Sequence, residues 1–104
     1  MPLPAKRDHR IALPEAVELT RNHRAQRPSE PKAHFFFRDA FDQILAQKGV
    51  AGIRIYRGHG KADTHHLVMV GVDESGADMT ANGEVMEYCM PCPPFCPPES
   101  PLQK

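Results

Sequence analysis

The hydrophobic pattern of this chain changes its period at Gly49, near the middle of its 104 residues. Before Gly49, apolar residues recur every three or four positions, as on the buried face of a helix. After Gly49 they first alternate with polar residues and then run continuously from Leu67 to Val72, as in β-strands. The pattern therefore predicts an α+β fold, with two helices packed on a three- to four-stranded antiparallel sheet.

Two segments before Gly49 have the features of helices. The segment from Pro14 to Arg24 starts with proline and acidic residues and ends with basic ones, which suits the helix dipole. The second segment carries an apolar stripe at helical spacing: Phe37, Ala40, Phe41, Ile44 and Leu45. Ser29 is its expected N-cap and Gly49 its expected end, so "HFFF" (residues 34–37) is predicted to begin this helix and to pack against the sheet.

The second half of the chain has the pattern of strands separated by turns. We predict a half-buried strand at "VAGIRIYR" (residues 50–57), with Ile55 on its inner face. "HHLVMVGVD" (residues 65–73) is apolar along most of its length and is predicted to be a central strand. The "DESG" segment (residues 73–76) is expected to turn, and Asn82-Gly83 favours a hairpin.

The polar residues of the first predicted strand suggest cross-strand ion pairs. Arg54, Tyr56 and Arg57 lie on that strand, and we expect Glu84 and Glu87 of a later strand to face them. Binding of an anionic ligand by the same basic residues is the alternative.

Proline content divides the chain into three parts. Residues 1–12 are a lead-in, residues 13–88 form the single α+β domain, and residues 89–104 are a C-terminal tail rich in proline and cysteine. The last twelve residues (93–104) are expected to run as extended polyproline II structure.

The charge balance argues against two classes of partner. Thirteen basic side chains match thirteen acidic ones, whereas binding to nucleic acid or to an anionic membrane surface needs a basic excess. No run approaches the roughly 20 apolar residues of a membrane span, and no signal-peptide pattern is present. We therefore expect a cytoplasmic protein with reduced thiols and with no nucleic-acid or membrane partner.

Four stretches of the chain form a set: "LTRNHR", "KAHFFFRDAFDQILAQKGVAGIRIY", "LVMVGVDESGADM" and "PCPPFCPP". Together they resemble a group of small uncharacterised bacterial proteins, found mainly in Bacteroidota, whose pattern contains "GIRIY", "VGVD" and "PCPPxC". The resemblance implies an intact domain but no activity, because none is established for the group. It also implies that Cys92 and Cys96 belong to the group's pattern and that Cys89 is an addition.

The tail holds all three cysteines, in the spacing C-x2-C-x3-C, and this spacing suggests a metal site. Thiolates bind zinc or iron, so Cys89, Cys92 and Cys96 are candidate ligands, with His59 or His65 as a fourth. His66 could serve instead of His65, but neighbouring residues of a strand point to opposite faces, so the two cannot readily bind one ion. The prolines between the cysteines remove N–H donors that usually support such sites, which weakens the metal hypothesis.

An interaction role fits the tail better. A proline-stiffened segment loses little entropy on docking, and Phe95, preceded by Pro93 and Pro94, would be the apolar anchor on a partner or on the chain's own sheet. A redox role for Cys89 and Cys92 is less favoured, because no helix follows them to lower a thiol pKa. Enzymatic modification of the tail of a precursor is a further alternative.

These observations favour a small, non-enzymatic interaction or structural domain that forms a homodimer and needs no cofactor. No nucleotide-binding or nucleophile motif indicates an enzyme. A zinc- or iron-binding protein is the main alternative.

Overall fold

The computed structural model describes residues 2–81 and 83–103. Their secondary structure comprises two helices and two antiparallel sheets, one of three strands and one of two. The α+β prediction is therefore confirmed, although the strands form two sheets rather than one. Within the described residues, neither helix is long and apolar enough to cross a membrane.

The chain divides into two compact units. The first contains Phe36–Cys89 and the N-terminal residues up to Ala5, and the second contains Lys6–Phe35 and the residues from Met90 onward. The domain boundaries at residues 12 and 88 stay predictions.

The first unit consists of one helix and the three-stranded sheet. Helix α2 spans Arg38–Leu45, and strands β2, β3 and β4 span Val50–His59, His65–Asp73 and Val85–Met86. The sheet order is β2-β3-β4, with both pairings antiparallel, so the long apolar run lies in the central strand as predicted.

The core of this unit forms where α2 contacts β2 and β3. Its fully buried side chains are Ile44 of α2 and Met69 of β3, with Val70 and Val72 nearly as buried. Gly71 lies in the same stretch of β3. A Cβ atom at this position would lie 3.3 Å from the Ile44 side chain, so glycine allows α2 to pack closely against the strand.

Two predictions about this core are wrong. Of the predicted α2 stripe only Ile44 is buried, and Leu45 is exposed. Ile55 of β2 is 52% exposed rather than inward-facing. The eight residues of α2 extend about 12 Å, whereas the ten residues of β2 extend about 33 Å, so the helix cannot cover the whole strand.

The turn after β3 forms as predicted. The Asp73 carboxylate accepts hydrogen bonds from the backbone N–H groups of Ser75 (2.9 Å) and Ala77 (3.0 Å), and Gly76 takes a positive φ of 90°. The hydrogen bond from the Ser75 hydroxyl is the main reason that the pKa of Asp73 lies below its usual value. The predicted hairpin involves Asn82, which lies outside the described residues.

The second unit contains the other helix and the two-stranded sheet. Helix α1 spans Leu13–Gln26, and strands β1 (Ala33–Phe35) and β5 (Met90–Cys92) pair antiparallel. The prediction of a first helix from Pro14 to Arg24 is confirmed, with small extensions at both ends.

The predicted start of the second helix is wrong. His34 and Phe35 belong to β1, and α2 begins only at Arg38, with Phe37 rather than Ser29 at the N-cap. The partner of these residues is β5, near the other end of the chain, and hydrophobic periodicity carries no information about such long-range pairing.

The tail is structured at its beginning. Met90–Cys92 forms β5, and the backbone N–H of Phe95 donates to the carbonyl of Pro91 at 2.9 Å. A disulfide joins Cys92 to Cys96 and closes this loop.

Candidate metal centre at the end of the β2–β3 hairpin

The connection between β2 and β3 is short and carries several polar side chains. A 3-10 turn spans Lys61–Asp63, and the backbone N–H of Gly60 donates to the carbonyl of Thr64 at 2.9 Å. The antiparallel register places His59 directly opposite His65. The two histidines are therefore side by side where the hairpin ends.

The turn has an unusual backbone conformation. Ala62 and Asp63 both have positive φ angles, of 57° and 58°. Residues other than glycine seldom adopt this left-handed conformation, although Asp tolerates it better than most. Here it lets the short turn bring Asp63 back towards His59.

Three side chains converge at this point. His59 Nδ1 lies 3.9 Å from Asp63 Oδ1, and the rings of His59 and His65 are 4.6 Å apart between centroids, in an edge-to-face arrangement. One ligand atom from each of the three residues lies within 4.8 Å of the others.

These distances are close to those of a metal site. Ligands of a tetrahedral ion at about 2.1 Å are about 3.4 Å apart, so the three atoms need to approach each other by little more than about 1 Å. His59 and Asp63 are exposed, and their side chains can make this adjustment by rotation. The arrangement is thus a possible site for a metal ion.

The structure brings together two of the predicted metal ligands, His59 and His65, and adds Asp63. Sequence reasoning did not predict Asp63 as a ligand. The available signal was the hairpin itself: once His59 and His65 are paired, the turn residues between them must lie across the end of the hairpin.

The cysteines are placed differently. Cys92 and Cys96 form the disulfide, with 4.7 Å between their Cα atoms, and disulfide sulfurs are not the thiolates that bind zinc or iron. Burial, assisted by the nearby Glu87 carboxylate, raises the pKa of the Cys89 thiol and disfavours its thiolate. A site that uses all three cysteines requires reduction of the disulfide and stays a prediction.

A second polar group lies on the same sheet. Asp78 accepts hydrogen bonds from Arg54 and from the Tyr56 hydroxyl. These hydrogen bonds hold the pKa of Asp78 below its usual value, and the bond from Tyr56 has the largest effect. The Asp78 carboxylate in turn raises the pKa values of Tyr56 and Arg54. Asp78 is bonded to two residues of β2, Arg54 and Tyr56. We therefore interpret this group, here called the clamp, as a structural contact that holds the segment after β3 against β2.

The clamp corrects the predicted ion pairs. Arg54 and Tyr56 were expected to face Glu84 and Glu87, but the turn after β3 folds Asp78 back along that strand, where it bridges to Val72. Glu87 instead pairs with His66, with 2.7 Å between Oε2 and Nδ1.

Comparisons with known proteins add no candidate activity. No protein-family model matches the chain, and neither the curated proteins nor the solved structures contain a match. Its function must therefore be inferred from the geometry of its side chains.

Proposed function

We propose that this chain is a metal-binding protein that holds a divalent transition-metal ion at His59, Asp63 and His65. The proposal rests on one observation, the convergence of three ligand atoms within 4.8 Å at the end of the β2–β3 hairpin. Two imidazoles and one carboxylate are donors that suit Zn²⁺ and also Fe²⁺.

The number of ligands sets the expected affinity. Structural zinc sites with four ligands bind with about 10–16 kcal/mol. An exposed site with three ligands should bind less tightly, with a binding free energy of about 8 kcal/mol, which corresponds to a Kd of about 1 μM. Water would occupy the remaining coordination positions. Because protons compete with the metal for the ligands, binding should weaken as the pH falls.

The test is titration of untagged protein with Zn²⁺ by calorimetry, with Co²⁺ as a spectroscopic probe. We expect one ion per chain, and at least a tenfold weaker affinity in each of His59→Asn, Asp63→Asn and His65→Asn. His9→Asn is the matched control, since His9 is not one of the three converging residues. Equal affinity of the wild type and the His59→Asn/His65→Asn double variant would contradict the proposal.

The same titration distinguishes the cysteine site. Under a reductant that does not bind metal, a tighter site that is lost in Cys92→Ser/Cys96→Ser but kept in the double histidine variant would support ligation by Cys89, Cys92 and Cys96 instead.

We propose protein interaction through the tail as a second candidate function. The supporting observation is that Phe95 is 58% exposed, next to the exposed Pro93 and Pro94, within the loop closed by the disulfide. We propose an apolar pocket of a partner or of a second copy as the docking site of Phe95. If the partner is a second copy, light scattering should show a dimer that Phe95→Ala converts to a monomer; Phe41→Ala, at another exposed aromatic residue, is the control.

A further inference from the structure

Three side chains near the metal centre form a second polar chain that the proposed metal site does not use. Thr64 immediately precedes β3 with an extended backbone, and His66 is the second residue of the strand, so their side chains point to the same side, opposite to that of His65. Glu87 comes directly after β4, the neighbour of β3 in the sheet.

The hydrogen bonds run in one line from hydroxyl to carboxylate. Thr64 Oγ1 lies 2.9 Å from His66 Nε2 and 3.1 Å from the Lys61 carbonyl oxygen, and its single proton can be donated to either. His66 Nδ1 lies 2.7 Å from Glu87 Oε2. The other carboxylate oxygen, Glu87 Oε1, accepts a hydrogen bond of 3.0 Å from the backbone N–H of Cys89. Glu87 is thus held from both sides.

The charge of Glu87 determines the tautomer of His66. Burial tends to raise the pKa of Glu87, but the hydrogen bonds from the Cys89 N–H and from His66 outweigh it, and the pKa lies below its usual value. An ionised carboxylate can only accept, so Nδ1 of a neutral His66 carries the proton. Nε2 is then an acceptor that faces the Thr64 hydroxyl.

Gly60 leaves the space that the hydroxyl–imidazole contact requires. A Cβ atom at position 60 would lie 2.5 Å from Thr64 Oγ1 and 2.7 Å from His66 Nε2. Gly60 has a negative φ of −101°, so glycine is needed here for space rather than for backbone conformation.

Exposure increases along the line towards the hydroxyl. The Glu87 side chain is 26% exposed and that of His66 39%, and Thr64 is exposed. This is the order that a nucleophile, its base and the group that orients the base need, because only the nucleophile and the base meet the substrate.

We propose that Thr64, His66 and Glu87 form an acyl-transfer site for small carboxylic esters. Thr64 Oγ1 attacks the ester carbonyl while His66 Nε2 takes the hydroxyl proton, and Glu87 stabilises the imidazolium. The C–O bond to the alcohol breaks, and His66 returns the proton to the departing alcohol. His66 Nε2 then deprotonates a water molecule that attacks the acyl-threonine carbonyl. The bond between the acyl carbon and Thr64 Oγ1 breaks, His66 returns the proton to Oγ1, and the acid is released.

The experiment follows hydrolysis of p-nitrophenyl acetate by purified protein in EDTA, so that no metal contributes. We expect turnover above the buffer rate. Thr64→Val, which keeps the shape of the side chain, and His66→Gln should each lower it by about 100-fold, the usual size of a general-base contribution. Thr64→Ser restores the hydroxyl and should restore activity. Peptide mapping should find the acetyl group on Thr64.

Glu87 is a positioning residue, and its test separates kcat from KM. Glu87→Gln can donate to Nδ1 and so favours the other tautomer, in which Nε2 carries the proton. We expect kcat to fall with little change in KM, and Gly60→Ala to lower kcat as well.

Controls decide between a specific site and general reactivity. Thr80→Ala and His9→Asn should keep wild-type turnover, and thermal unfolding should show that every variant is folded. Turnover in Thr64→Val equal to that of the wild type, turnover that requires metal, or an acetyl group on Cys89 or a lysine instead of Thr64 would each overturn the proposal.

Discussion

Replacement of Gly71 by alanine tests the packing between α2 and the central strand. A Cβ atom at position 71 would lie 2.9 Å from Gln47 Nε2 and 3.3 Å from the side chains of Ile44 and Val50. Gln47 cannot simply rotate away, because its Nε2 donates to the Ile44 carbonyl (3.0 Å) and its Oε1 accepts from the Glu84 N–H (2.9 Å).

The expected magnitude follows from these contacts. Loss of the two Gln47 hydrogen bonds costs about 1 kcal/mol each. Replacing glycine also restricts the unfolded chain, which stabilises the fold by about 0.4–1 kcal/mol. Gly71→Ala should therefore lower the free energy of unfolding by about 1–2 kcal/mol and the Tm by about 5–10 °C.

Gly52→Ala is the matched control for urea unfolding of Gly71→Ala. Gly52 is also in the sheet, but a Cβ atom there meets nothing within 4 Å, so this variant should equal or exceed the wild type in stability. The reasoning is refuted if Gly71→Ala is as stable as Gly52→Ala.

Two further predictions concern acid stability and the disulfide. Because the pKa of Asp78 is lower in the folded chain than in the unfolded chain, Asp78 stabilises the fold above about pH 4, and this contribution is lost as the pH falls through its folded-state pKa. Urea unfolding between pH 2 and 7 should show this loss, with a shallower pH dependence in Asp78→Asn; an unchanged profile would contradict it. Closing the five-residue loop between Cys92 and Cys96 should stabilise the chain by about 2 kcal/mol. Cys92→Ser/Cys96→Ser should lose this stability, and equal stability with and without reductant in the wild type would exclude the effect.

Local sequence patterns predicted the elements that depend on residues close together in the chain, such as β3 and the turn after it. The apolar run from Leu67 to Val72 identified β3, and the residues of the "DESG" turn carry their own hydrogen bonds. β1 was missed because its partner β5 lies near the other end of the chain. The pairing in β1 overrides the helical periodicity that "HFFF" shares with α2.

The candidate metal site was only half predictable for a related reason. His59 and His65 were chosen for their side-chain chemistry, without knowledge that the hairpin register pairs them. Asp63 joins them through a turn in which Ala62 and Asp63 are left-handed. The sequence "GKADT" does not indicate this conformation, since neither of these two residues is a glycine. Thr64, His66 and Glu87 meet only when β4 pairs with β3, and β4 is just two residues long.

The alternation of β3 gives His65 and His66 separate environments although they are consecutive in the sequence. His65 lies beside His59, whereas His66 bonds to Thr64 and Glu87. Inserting one residue between Gly60 and Asp63 without lengthening β2 would shift the strand register by one and exchange the two histidines between the faces. The length of this turn is therefore a constraint that both proposed sites share, and natural variants of the chain should conserve the number of residues in it more strictly than their identity.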